Sequence, residues 1–325
     1  MYNQFITDEL HRIKAADENI QLTGDIKQDI KRRLLFHKFR KYSVSAEYIK
    51  TIETAINYNV DNNLPINITF PHGGYKLWRL PEAPEADWAE LFSHMYYTEW
   101  LAPICKIYAP GVLLDYYLDD IIICKLNNIS RKDIEAYISS YKKVIKFLKH
   151  YQPKNLYTTV TTVSSRFASE SAFWNAIGEK LETQPKPEEK GLSANMKRMI
   201  ELNCKLKSGQ EADPLWRQKI ACLHDAYLEA KRATGYIRGR DDKIMIATNL
   251  RQAPRRERLV VGSTKTSTMK FWIACGALLK TGNRLQTTVL SQSQLEKHSI
   301  ETVNVSIPGL IGKNFDKIRI VSLKI

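Results

Sequence analysis

Residues 64–90 read LPINITFPHGGYKLWRLPEAPEADWAE. The run from Leu64 to Thr69 is apolar and β-branched, the composition of a strand. A helix begins again near Asp87. Between the two lie the paired glycines Gly73 and Gly74 and the prolines Pro71, Pro81 and Pro84. Glycine admits positive φ and close backbone approach, and proline stiffens the chain beside it. A segment of this make-up at a strand end is expected to present side chains instead of filling a core. It offers His72, Tyr75, Lys76, Trp78 and Arg79, with Asp87 and Glu90 on the helix that follows.

The pattern continues outward from this unit. Upstream, helical spacing covers 6–17, 26–40 and 45–58, with Ser45 placed as an N-cap. In the second of these helices Ile26, Ile30 and Leu34 share a face, while Lys31, Arg32, Arg33, Lys38 and Arg40 decorate the rest. Downstream, 86–105 is a helix whose aromatics (Trp88, Phe92, Tyr96, Tyr97, Trp100) read as packing. After the Pro110-Gly111 turn, strand-like runs at 112–117 and 121–124 flank Asp119 and Asp120. That pair is either a turn or a means of orienting a hydroxyl or metal. Ser130 caps a helix to His150 with Asp133 at the capping-box position, and 155–163 is a threonine-rich strand.

Residues 182–192, ETQPKPEEKGL, read as an exposed linker or lid, followed by cationic helices over 193–207 and 214–232, the second opened by Asp213-Pro214. Strands are then expected at 243–248, 259–261, 286–290, 302–307 and 318–323, with a helix over 268–280. Alternating strands and helices predict an α/β fold, a Rossmann-like mixed sheet flanked by helices with N-terminal and mid-chain helical additions. The expected parts are a helical segment 1–60, a first α/β part 61–181, linker and basic helices 182–240, and a second α/β part 241–325.

Composition narrows the function classes. At 325 residues, 43% hydrophobic and 26% charged, the chain is ordinary for a globular protein. No apolar run approaches the roughly 18–20 residues that span a bilayer, and the first 20 residues lack the basic start and apolar block of a signal peptide. Five scattered cysteines without a C-x-x-C pair point away from disulfides and zinc, and toward a reducing cytoplasm. The net charge of +14 fits a polyanion partner such as nucleic acid, a phosphorylated metabolite or an anionic membrane, or simply a solvated lysine-rich surface. A nucleic-acid reading would lay the basic helices 26–40 and 193–232 along a phosphate backbone.

A second stretch, LVVGSTKTSTMKFW at 259–272, passes from strand through glycine and hydroxyl residues into the helix expected at 268–280. Free N–H groups and the dipole at a helix N-terminus attract phosphate. Ser263, Thr264, Thr266, Ser267 and Thr268 would add donors, and Lys265 and Lys270 charge. Arg251, Arg255, Arg256 and Arg258 extend the positive field. The spacing is not that of a Walker A loop, and no G-x-S-x-G, H-E-x-x-H or G-x-G-x-x-G is present. Seven histidines show no metal-ligand spacing, so no metal and no cofactor is expected. His72 stands out for its place beside the glycines.

Residues 65 to about 148 resemble the isocyanide synthase family, which includes the pyoverdine and dityrosine biosynthesis proteins. The similarity is an ordered pattern: an apolar strand into Phe70-Pro71, then Lys76, a proline-bearing turn, and Asp87-Trp-Ala-Glu90 opening a helix. Ile107-Tyr108-Ala-Pro110-Gly111, a strand, an aspartate at 119 or 120, and a helix with Asp133 and Tyr137 follow. Three departures stand out: the lysine motif is stretched to HGGYK, the family's Ser-Asp-Gly after the second strand is here Leu118-Asp119-Asp120, and its C-terminal Trp-His signature is missing. The resemblance implies a Rossmann-like enzyme joining an amino-acid amine to a carbon from ribulose 5-phosphate. Lys76, Asp87, Glu90 and His72 would then supply the chemistry. Arg79, Tyr75 and the loop residues Ser263, Thr264, Lys265, Thr266, Ser267 and Lys270 would hold substrate and phosphate. The plainer reading of Asp87 and Glu90 is an N-cap with its capping-box partner.

Overall fold

The computed structural model describes all residues except 15–21, 77–79, 81, 83, 184–191, 208, 211–212, 237–239, 250–257 and 323–325. Three helices lead: α1 (Tyr2–Lys14), α2 (Ile26–Leu34) and α3 (Ala46–Asp61). Ser45 caps α3 by accepting from Tyr48 N–H at 3.1 Å. The sheet strands β1 (Ile66–Gly73) and β2 (Val112–Asp119) are joined through α4 (Trp88–Ile107). A short helix α5 (Ile122–Leu126) and the long α6 (Arg131–Leu148) lead to β3 (Leu156–Thr162). Then α7 (Glu170–Thr183), α8 (Ala194–Asn203) and α9 (Pro214–Ala233) precede β4 (Lys243–Ala247) and β5 (Leu259–Val260). These five strands form one all-parallel sheet in the order β3-β2-β1-β4-β5. The order reverses between β1 and β4, the doubly wound α/β arrangement.

The remaining chain builds a second sheet: β6 (Cys275–Thr281), β7 (Arg284–Leu290), β8 (Ile300–Asn304) and β9 (Lys317–Ser322), in the order β7-β6-β9-β8, with a one-turn helix α10 (Gln292–Leu295) between β7 and β8. It packs on the start of α4 because Gly276 has no side chain. A Cβ there would lie 2.3 Å from the carbonyl carbon of Trp88. The bond from Gly276 N–H to Asp87 Oδ2, 3.2 Å, closes the joint.

Three local expectations are corrected. Residues 121–124 are helical (α5), not a strand. Over 268–280 there is no helix; a 3-10 turn, Phe271–Ile273, leads straight into β6. And β1 continues through Phe70-Pro71-His72 to Gly73, so this segment fills the core. His72, Tyr75 and Lys76 are all buried. Gly74 lets the chain turn directly against β2, its N–H donating to Asp119 O at 2.7 Å, where a Cβ would sit 2.2 Å from that oxygen.

Candidate functional site

Lys76 lies at the centre of a closed knot. Its ammonium donates to Asp87 Oδ1 (2.7 Å), to both oxygens of Glu90 (3.1 and 2.9 Å) and to Phe271 O (3.1 Å). An ammonium has three protons, so these acceptors saturate it. Asp87 and Glu90 are also a capping box: Ala89 N–H donates to Asp87 Oδ1 and Asp87 N–H to Glu90 Oε2, each at 2.8 Å. Tyr137 O–H donates to Glu90 as well. Burial alone would pull the Lys76 ammonium down, but Asp87 and Glu90 outweigh it and hold it above its ordinary value. Burial pushes the Glu90 carboxyl above the carboxylate range, since two acids share one cation. All three side chains have essentially no solvent exposure.

His72 is equally enclosed. Its Nδ1 donates to Gly73 O at 2.9 Å, which leaves Nε2 as the bare lone pair of a neutral imidazole. Tyr116, Tyr141, Phe271 and Trp272 surround the ring, with centroids 5.0–5.7 Å away. Burial depresses its pKa to about 3. Tyr75 is buried beside Gly73. Arg79 and Trp78 lie outside the described residues, as do Arg251, Arg255, Arg256 and the core of the expected 182–192 linker.

The hydroxyl loop forms a tight turn in which Ser263 and Thr264 N–H both donate to Ser267 O. Its hydroxyls bond main-chain acceptors: Ser263 to Ser267 O, Thr266 to Thr287 O and Ser267 to Val289 O. The last two cover carbonyls of β7, an edge strand. With no α-helix behind it, the loop lacks the dipole that motivated phosphate there. Its end does meet the glycine segment, through Lys76 and Phe271, and Lys270 stacks toward Trp272. Lys265 is exposed.

Little in the sequence signals what lies on the other face of the parallel sheet. Side chains alternate along strands, so Ile68, Phe70, His72, Leu114 and Tyr116 point to one face, under α4. Asn67, Thr69, Asp115, Tyr117, Asp119, Thr159, Thr161 and Lys243 share the opposite face, in paired register. A parallel sheet covered on both sides is normally apolar on both. Here one face is polar across four strands. Asp115, 2% exposed, accepts from Thr159 and Thr161 hydroxyls at 2.8 Å each and from Tyr236 O–H. Lys243 Nζ lies 3.3 Å and Arg166 Cζ 3.5 Å from the Tyr236 ring centroid. Burial lowers the Lys243 ammonium to about 8, and no carboxylate lies within ion-pair distance of it among the described residues. At the C-terminal end of β2, Asp119 takes Lys231 and Tyr227 from α9. Buried Thr69 Oγ1 and Asn67 Oδ1 have no hydrogen-bond partner among the described residues. Such polar groups cost stability when buried, which makes this face the candidate site. Only Asp119 had drawn notice in the sequence; Asp115, Lys231, Tyr236 and Lys243 stand alone in unrelated segments and carry no motif.

Solved structures of similar fold give the comparison. The chain resembles PvcA from Pseudomonas aeruginosa. The TM-score is 0.61 at 16% identity, over 92% of this chain and 100% of PvcA. At this identity the likeness is one of fold, and it supports the distant resemblance and the Rossmann-like α/β fold at the level of architecture. Tyrosyl-tRNA synthetases from Aeropyrum pernix and Pyrococcus horikoshii align over 69% of the chain and 53% and 50% of theirs, at 10% and 14% identity. Their TM-scores of 0.36 and 0.31 are too low to carry an argument. No family model matches the chain, and no curated protein matches its sequence. Among the described residues no helix is long and apolar enough to cross a membrane.

Proposed function

We propose that this chain is an isocyanide-synthase-like enzyme that condenses a primary amine with the carbonyl of a phosphorylated sugar such as ribulose 5-phosphate, on the polar face of its parallel sheet. The observation that carries this reading is Lys243 and Tyr236 gathered over buried Asp115 in a fold shared with PvcA. Amine–carbonyl condensation needs a group that exchanges protons near neutrality, an anchor for the amine, and cations for the phosphate. A lysine lowered to about 8 is matched to the first task. Asp115 and Asp119 suit an ammonium, and Arg166 and Lys231 suit an anion. The knot of Lys76, Asp87 and Glu90 then acts through position, holding the turn after β1 against α4, and His72 packs the opposite face.

The test is incubation with ribulose 5-phosphate and a panel of amino acids, with isocyanide formation followed by mass spectrometry. Asp115→Asn and Lys243→Met are expected to lower turnover at least about a hundredfold with melting temperature retained, the range for loss of an acid–base group. Full activity in both variants, or no product from any amine, would overturn the proposal.

A further inference from the structure

On the α4 side of the molecule, away from Asp115, lies a cavity of about 270 Å³ between α1, α4, β7 and the hydroxyl loop. Phe5, Ile13, Phe92, Met95 and Leu285 give it an apolar lining. Its charged rim falls into two parts. Arg12 pairs with Glu9 (2.8 Å) and Glu99 (2.9 Å), and Lys38 pairs with Glu99 (2.9 Å), a network balanced at two cations and two anions. Lys265, at the cavity, and Lys41 beside it have no carboxylate partner among the described residues. Lys41 Nζ instead donates to Lys265 O at 2.8 Å and lies 5.5 Å from the ring of Tyr96, another lining residue. Burial, and then repulsion from Lys265, lowers the Lys41 ammonium.

We infer that this cavity is a second binding site, for a compact organic anion: an apolar body of aryl or short-chain alkyl type seated among Phe5, Phe92 and Met95, its carboxylate held by Lys41 and Lys265. Two neighbouring ammoniums with no acid between them repel, and an anion there removes the repulsion. The five apolar side chains supply the affinity that screened surface lysines lack. The volume falls just below the range of drug-sized sites, about 300–1,000 Å³, which favours a small acid over a nucleotide. The site is independent of the reaction proposed above, because Asp115 and Lys243 face the opposite side of the sheet.

The experiment is calorimetric titration of the full chain with 3-phenylpropanoate, with inorganic phosphate and acetate as probes lacking the apolar body. The expected result is saturable 1:1 binding of phenylpropanoate, with acetate and phosphate at least about tenfold weaker. The double variant Lys41→Met/Lys265→Met removes two side chains with no acidic partner and is expected to fold normally and bind at least about tenfold more weakly. Leu285→Trp, which fills the cavity from its edge, is expected to block binding while leaving both lysines in place. No binding to the parent protein, equal affinity in the double variant, or equal affinity for phosphate would each overturn the inference.

Discussion

His72 shows how burial decides what a single side chain can do. In the sequence it sits beside two glycines and looks available. In the fold it is a neutral imidazole enclosed by five aromatic rings, those of Phe70, Tyr116, Tyr141, Phe271 and Trp272. Its folded pKa, about 3, lies below the roughly 6.5 of an unfolded chain. The folded state therefore binds fewer protons than the unfolded state between those values, and stability falls as pH drops from about 6.5 toward 3. His94, lowered to about 4 by burial, adds to the same slope. Replacing His72 with Phe is expected to flatten the acid limb of stability by up to about 1.4 kcal/mol per pH unit. Urea titrations of parent and variant at intervals from pH 7 to 4 measure it, and parallel curves would show that His72 is not the titrating group.

At the scale of elements, the knot around Lys76 joins three pieces of chain that are distant in sequence: the turn after β1, the first turn of α4, and the 3-10 turn ahead of β6. Asp87 extends the joint into the second sheet through Gly276 N–H. Removing one member of a buried ionic group leaves the others uncompensated. Lys76→Met is accordingly expected to cost about 3–5 kcal/mol, read by chemical denaturation. Adding Glu90→Gln removes part of the excess negative charge and is expected to recover some of that loss. A double-mutant cycle gives the coupling, and additive effects would contradict the shared-cation geometry.

For the whole molecule, a net charge of +14 invites a polyanion reading, but placement weakens it. On α2, Lys31 pairs with Glu53 at 2.5 Å, Lys27 with Asp61 at 2.6 Å, and Arg32 lies 3.9 Å from Asp29. On α9, Lys231 turns inward to Asp119. A protein that contacts 6–10 phosphates loses about 10³–10⁵ in affinity between 50 and 200 mM salt. DNA or RNA binding here is expected to be weak and to lose less than about a hundredfold over that range. A steep slope in a salt-titrated shift assay would restore the nucleic-acid reading.

The sequence by itself determined the local elements. Caps at Ser45, Asp87, Ser130 and Asp213, helical spacing, and β-branched runs are signals carried by a few neighbouring residues, and most helices and strands stand where those signals put them. It also carried the ordered pattern that predicts a Rossmann-like sheet. It did not separate a helix from a strand at 268–280, because alternation and apolar content there serve both, and pairing with β7 and β9 settles the matter. Only the tertiary structure decided which polar residues meet. Asp115, Tyr236 and Lys243 are spread over 129 positions of chain; register across parallel strands brings Asp115 and Lys243 to one face, and the segment after α9 carries Tyr236 onto it. The same packing closes Lys76 and His72 off from solvent. Burial and strand register are properties of long-range contacts, and no short stretch of residues encodes them.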